Sequence, residues 1–101
     1  MRVPTHRPPT HPGEMLLEEF LAPLEISTKG LATSINMPVA TIEAVINQQQ
    51  SLTPGLALRL AKFFATSVDF WLTLQLRWDL YQAQQEEAEA LAEIHPYQAA
   101  S

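Results

Sequence analysis

STKGLATSINMPVATIEAVINQQQ, residues 27 to 50, is the stretch from which the fold can be read. Ser27 is a good N-cap, and Leu31, Ala32 and Ile35 recur at helical spacing on one face. Asn36 stands where that helix must stop. After Gly, Asn best tolerates a left-handed backbone, so Asn36 is expected to close the helix. Met37 is expected to plug the corner. Pro38 is expected at the first position of the next helix, where its missing N–H costs nothing. In that helix Ile42, Val45 and Ile46 face inward, while Val39, Ala40, Thr41 and Ala44 stay on the outer face. Two short helices joined by a tight turn are the layout of a helix-turn-helix, whose second helix can enter a DNA major groove. A plain helical hairpin has the same spacing, and at this level both readings stand.

The rest of the chain sets bounds on that reading. Its 101 residues suit one domain able to bury a core, and 47% apolar with 17% charged residues is ordinary for a globular protein. It has no long apolar run and no signal-peptide pattern, so a cytoplasmic, soluble protein with no membrane role is expected. Cysteine is absent, which removes disulfides, thiolate metal sites and cysteine nucleophiles. Net charge is −5, whereas proteins that live on DNA usually carry a basic face. Glu86, Glu87, Glu89 and Glu93 all follow the expected globular part, and setting those four aside leaves −1.

Residues 1–10 hold Pro4, Pro8 and Pro9 without periodicity and read as a flexible arm. His6 and His11 are close in sequence but lack carboxylate or thiolate company, so no metal is expected. Pro12 fits a first helical position, Met15, Leu16 and Phe20 share a face, and Glu14 and Glu18 point to solvent. Pro23 is expected to end this helix, with Leu24 and Ile26 packing as the chain crosses onward. Thr53-Pro54 is a strong start signal for a helix to about Ala65, with Arg59 and Lys62 in solvent. Ser67 caps a fifth helix from Val68 to about Gln85. That helix carries more apolar surface than one side of a small bundle needs. Phe70, Trp71, Leu74, Trp78 and Tyr81 are assigned to a contact with a second copy, the other reading being a helix buried centrally in the monomer. Residues 86–94, EEAEALAEI, could extend the helix as a solvated face, so residues 11–85 are the expected domain and 86–101 an acidic helical extension and tail.

Three segments also resemble a known family. HPGEMLLEEFLAPL, LTPGLALRLAKFF and TSVDFWLTLQLRWDL are similar to the HigA/VapI family of addiction-module antitoxins, which are phage-repressor-like helix-turn-helix proteins of the XRE class. The likeness spans about Thr10 to Gln84 and is most specific in the HPGE opening and the Phe70-Trp71-Leu72-x-Leu74-Gln75 segment. It implies an all-α, five-helix domain that dimerises, binds its own operator, represses transcription and neutralises a HigB/RelE-like mRNA-cleaving toxin. Carried over position by position, the DNA contacts would be Thr28, Lys29, Val39, Ala40, Thr41, Glu43, Ala44, Asn47, Gln48 and Gln49. The family's frequent Arg, Ser or Gln on the reading helix are here Val39, Ala40 and Thr41, and its Asn-Gly-Lys is Asn47-Gln48-Gln49. Gly30 replaces the family's usual Ala, at a cost of about 1 kcal/mol in a helix interior.

Two functions therefore stand. One is a dimeric autorepressor and antitoxin with duplex DNA and a toxin as partners. The other is a protein-binding module of the same fold that has lost DNA binding and acts only through a partner protein. An enzyme is not expected, and no catalytic residue or cofactor is assigned: there is no Cys, no His with clustered carboxylates and no Gly-rich phosphate loop, the three glycines being Gly13, Gly30 and Gly55.

Overall fold

In the computed structural model, which describes residues 8–98, the chain is all-α. Helix α1 covers residues 12–24, beginning as α-helix at Pro12–Met15, widening to a π turn at Leu16–Leu21 and closing as α-helix at Ala22–Leu24. It is followed by α2 (Thr28–Ile35), α3 (Val39–Ile46), α4 (Pro54–Phe64), α5 (Val68–Glu86) and α6 (Ala88–Ala92). Residues 1–7, most of the expected arm and His6 with it, lie outside the described residues.

The starts are set locally. The hydroxyls of Ser27, Thr53 and Ser67 accept from the amides of Gly30 (2.9 Å), Leu56 (3.2 Å) and Phe70 (3.1 Å), and each satisfies an orphan donor of its helix. Pro12 and Pro54 open α1 and α4. Gly30 is part of the α2 cap, and a β-carbon there would sit 3.1 Å from the Ser27 hydroxyl.

Pro23 does not end α1. The Ala22 amide already bonds to the Leu17 carbonyl, five residues back, and this wider turn relieves the clash a prolyl ring meets in a regular helix. The chain leaves one residue after Leu24, at Glu25, which is left-handed (φ 55°). The Ile26 amide then closes onto the Leu21 carbonyl at 2.9 Å. Ile26 packs half-buried on the core, but Leu24 remains exposed, contrary to the expectation for both.

The core is one cluster fed by α1 to α5 and by Leu52 of the connecting loop. Leu16, Leu31, Ile42, Val45, Leu56 and Leu60 are its centre, and each such side chain contributes about 1.5–3 kcal/mol on leaving water. Trp71 belongs here. It is 0% exposed, and its indole N–H donates to the Thr66 hydroxyl at 2.8 Å. The residue assigned to a contact between copies is thus already enclosed by its own chain. Phe20 sits 4.8 Å from Phe64 and 5.0 Å from Trp71 between ring centroids, so α1 closes over the junction of α4 and α5.

The acidic segment follows α5 with one distorted residue. Glu87 leaves regular geometry (φ −98°, ψ 4°), but its amide still bonds to the Ala83 carbonyl and its own carbonyl accepts from Leu91, both at 2.8 Å, leading into the short α6. Every residue from Ala83 to Gln98 is exposed.

Candidate nucleic-acid interface

Helices α2 and α3 are joined at a left-handed Asn36 (φ 58°, ψ 52°), as its tolerance of that conformation leads one to expect. The Met37 amide reaches back to the Ala32 carbonyl at 2.9 Å, and its side chain rests half-buried on the core. Pro38 takes the N-cap rather than the first helical position. Its φ of −62° suits either place, but its ψ of 139° is extended, so α3 begins at Val39. The turn is held from outside by Arg59. One guanidinium nitrogen (Nη1) donates to the carbonyls of Ile35 (2.7 Å) and Asn36 (3.1 Å), placing a cation on the negative end of α2. Arg59 is exposed, as the sequence leads one to expect, and it is also a clamp.

With Ile42 and Val45 fully buried, the outer face of α3 is fixed. At the helical repeat Ala40, Glu43, Ala44 and Asn47 lie along its middle, with Val39 and Thr41 on its two edges. Glu43 and Asn47 are the polar groups of that middle strip, and Thr41 is half-buried. Thr28 and Lys29 occupy the first turn of α2, where Lys29 is exposed.

The far end of α3 is a second piece of engineering by tertiary contacts. Gln48 is left-handed (φ 61°); its amide bonds to Val45 (3.0 Å) and that of Gln49 to Ala44 (2.8 Å), the pattern usually completed by Gly. After the loop, the Leu52 amide donates to the buried Gln75 side chain at 2.7 Å, and Gln75 in turn donates to Asp79 at 2.8 Å. Gly13 packs beneath the last turn of α3, where a β-carbon would lie 2.9 Å from the Ile46 Cα. Beside it His11 caps α1, its Nδ1 accepting from the Gly13 amide at 2.9 Å, and its ring stands edge-on to Trp78 at 5.0 Å. Burial lowers the His11 pKa below 6.5, with the nearby Asp79 and Glu14 carboxylates opposing.

No protein-family model matches this chain. Individual relatives do. Over 78 residues it is 44% identical to the uncharacterized HTH-type transcriptional regulator YbaQ of Escherichia coli, covering 77% of this chain and 69% of that protein. It is 38% identical over 87 residues to antitoxin HigA-1 of Vibrio cholerae, covering 83% of this chain and 82% of that one. A solved structure of Pseudomonas aeruginosa antitoxin HigA with the higBA promoter superimposes at a TM-score of 0.85 and 33% identity, covering 89% and 99% of the two chains. The chain belongs to the HigA antitoxin family.

As a HigA-type helix-turn-helix protein its relatives are regulators and antitoxins, not enzymes. Among the described residues no group of His, Cys, Asp or Glu could hold a metal ion, and no helix is long and apolar enough to cross a membrane. The HigA-type fold brings Val39, Ala40, Thr41, Glu43, Ala44 and Asn47 onto one helix, with Gln48 and Gln49 at its end and Thr28 and Lys29 on the helix before it. Phe70, Leu74, Trp78 and Tyr81 lie on α5 at or just under the surface, unlike Trp71. Arg59, Gln75, His11 and Gly13 shape the site and were not singled out for it. Only the HPGE and Leu74-Gln75 segments of the family likeness pointed toward three of them, and nothing in the sequence marked Arg59.

Proposed function

We propose that two copies of this chain bind their own operator through α3 in successive major grooves, repress transcription there, and neutralise a HigB/RelE-like toxin in the cytoplasm. The observation that carries the reading is the exposed outer face of α3, held rigidly between the Asn36–Arg59 clamp and the Gln75-anchored loop. The Pseudomonas aeruginosa relative, whose structure is with its promoter, supports it. A dimer would set the two reading helices about 34 Å apart on a palindrome. Its contact is supported by Leu76 (65% exposed) and Leu80 (54%), on the side of α5 away from Trp71, together with Phe70, Leu74, Trp78 and Tyr81 along its flank.

Such a protein reads DNA with few direct contacts. Ala40, Ala44 and Val39 can meet only thymine methyl groups, Thr41 can make a single hydrogen bond, and Glu43 can accept from cytosine. Lys29 is the only Lys or Arg between Ser27 and Gln50, so few counterions are released and the salt slope is shallow. Sequence preference would then rest largely on DNA shape.

The same poverty of cations, with a net charge of −5, favours the second reading, a protein-binding module acting only on a basic partner. A gel shift on the upstream DNA at low and physiological salt separates the two. Retardation that survives competitor DNA is the expected result. A folded dimer that retards nothing even at low salt leaves toxin binding as the function.

A further inference from the structure

An open groove of about 360 Å³ runs between the end of α2 and the outer face of α4. Its walls are Ser34, Leu58, Arg59, Lys62 and Phe63, and no acidic side chain lines it. Leu58 (58% exposed) and Phe63 (41%) give it an apolar lining. Arg59 is already ordered by the α2 carbonyls, so its charge is held in a fixed place at the groove wall. At the other end of the molecule the segment after α5 has the opposite character. Glu86, Glu87, Glu89 and Glu93 stand there together with exposed Leu91, Ile94 and Tyr97.

We infer that residues 86–97 of a second copy seat in this groove, Leu91 and Ile94 on Leu58 and Phe63, and the carboxylates on Arg59 and Lys62. Two facts carry this. The charges are complementary, and both surfaces leave large apolar side chains exposed that would cover one another. The groove lies beside the junction of α4 with α5, while α6 begins beyond the 19 residues of α5, a helix about 28 Å long. A helical α6 cannot return that far to its own groove, so the partner is another molecule. In a closed dimer the exchange is reciprocal. The inference rests on the dimer proposed above and adds which segment crosses between copies.

The test is a mixed-isotope cross-linking experiment on the full chain, with a photoreactive benzophenone amino acid in place of Phe63. Chains labelled with light and heavy nitrogen are mixed, irradiated and digested, and sedimentation equilibrium is run on the same sample. Cross-links from position 63 to residues 87–97 that join light to heavy chains are expected. Their yield should fall about threefold or more in Lys62→Glu and likewise in 1 M salt, where the Debye length is about 3 Å. A dimer whose cross-links avoid the tail, or join only chains of one label, overturns the inference and leaves the dimer intact. A monomer in the centrifuge overturns both.

Discussion

Gly13 lies directly beneath the Val45 carbonyl at the end of α3, with no room between the two backbones for a side chain. The start of the HPGE helix is thereby a shelf on which α3 rests. Adding one methyl group must push α1 and α3 apart, since the obstacle is backbone on both sides. Gly13→Ala should cost about 2–3 kcal/mol, in the upper range for overpacking. For a domain of this size that is a fall in melting temperature of roughly 10–20 °C by calorimetry or circular dichroism. A melting point within a degree or two of the parent's would mean that the two helices are not in this contact.

Gln48 should respond in the opposite direction. It is held at φ 61° by two backbone hydrogen bonds, in a conformation costing an L-residue about 1–2 kcal/mol that glycine avoids. Gln48→Gly is expected to raise stability by about 0.5–1 kcal/mol in urea denaturation, part of the gain being offset by the freer unfolded chain. A loss of stability would show that the Gln48 side chain contributes more than its backbone costs.

Gln75 ties the loop after α3 to α5. In Gln75→Leu the Leu52 amide stays buried with no acceptor, at a cost of about 1–3 kcal/mol. Amide hydrogen exchange is the sharper readout. Leu52 should lose protection selectively while the α2 amides keep theirs. Unchanged exchange at Leu52 would remove the bond.

His11 makes stability depend on pH. Its Nδ1 can accept from Gly13 only while unprotonated, and burial holds its pKa below the unfolded value of 6.5. Because the folded pKa is the lower one, the unfolded chain binds more protons in between. The contribution of His11 is therefore complete above pH 6.5, declines as the pH falls below it, and is gone below the folded pKa. His11→Asn keeps a capping acceptor without a titrating group. The stability difference between parent and variant should shift in favour of the variant between pH 7 and pH 5. A difference independent of pH would sink this account of the cap.

On DNA, Lys29→Ala should weaken binding to every duplex alike and reduce the salt slope by about one unit, as the loss of one phosphate contact requires. Thr41→Ala should instead relax the preference among sequences, since Thr41 sits at the edge of the outer face of α3 that the proposed function places in the groove. Titrations on the operator and on a scrambled duplex at two salt concentrations distinguish these effects. Equal affinity of Lys29→Ala on both duplexes to that of the parent would take Lys29 out of the interface.

What could be read from residues alone was what short-range chemistry decides. Ser27, Thr53 and Ser67 cap the helices that follow them because a hydroxyl reaches an amide three residues away whatever else the chain does. Asn36 closes α2 because its own side chain tolerates the left-handed turn. Glu25, Gln48 and Ala65 are left-handed at the ends of α1, α3 and α4 with no such signal, since nothing in their chemistry favours that conformation and packing alone imposes it. Pro23 reads as a stop, yet it rides inside a helix whose bonding had already widened before reaching it. Apolar count on α5 called for a partner, but only the meeting of α1, α4 and α5 decides that Trp71 is enclosed while Leu76 and Leu80 are not. Arg59 clamps a turn 23 residues earlier, and Gly13 is required by a backbone more than thirty positions away. Caps and turns are energies within one turn of chain and are written locally; closeness between distant segments exists only once the chain has folded, so the tertiary structure alone decides it.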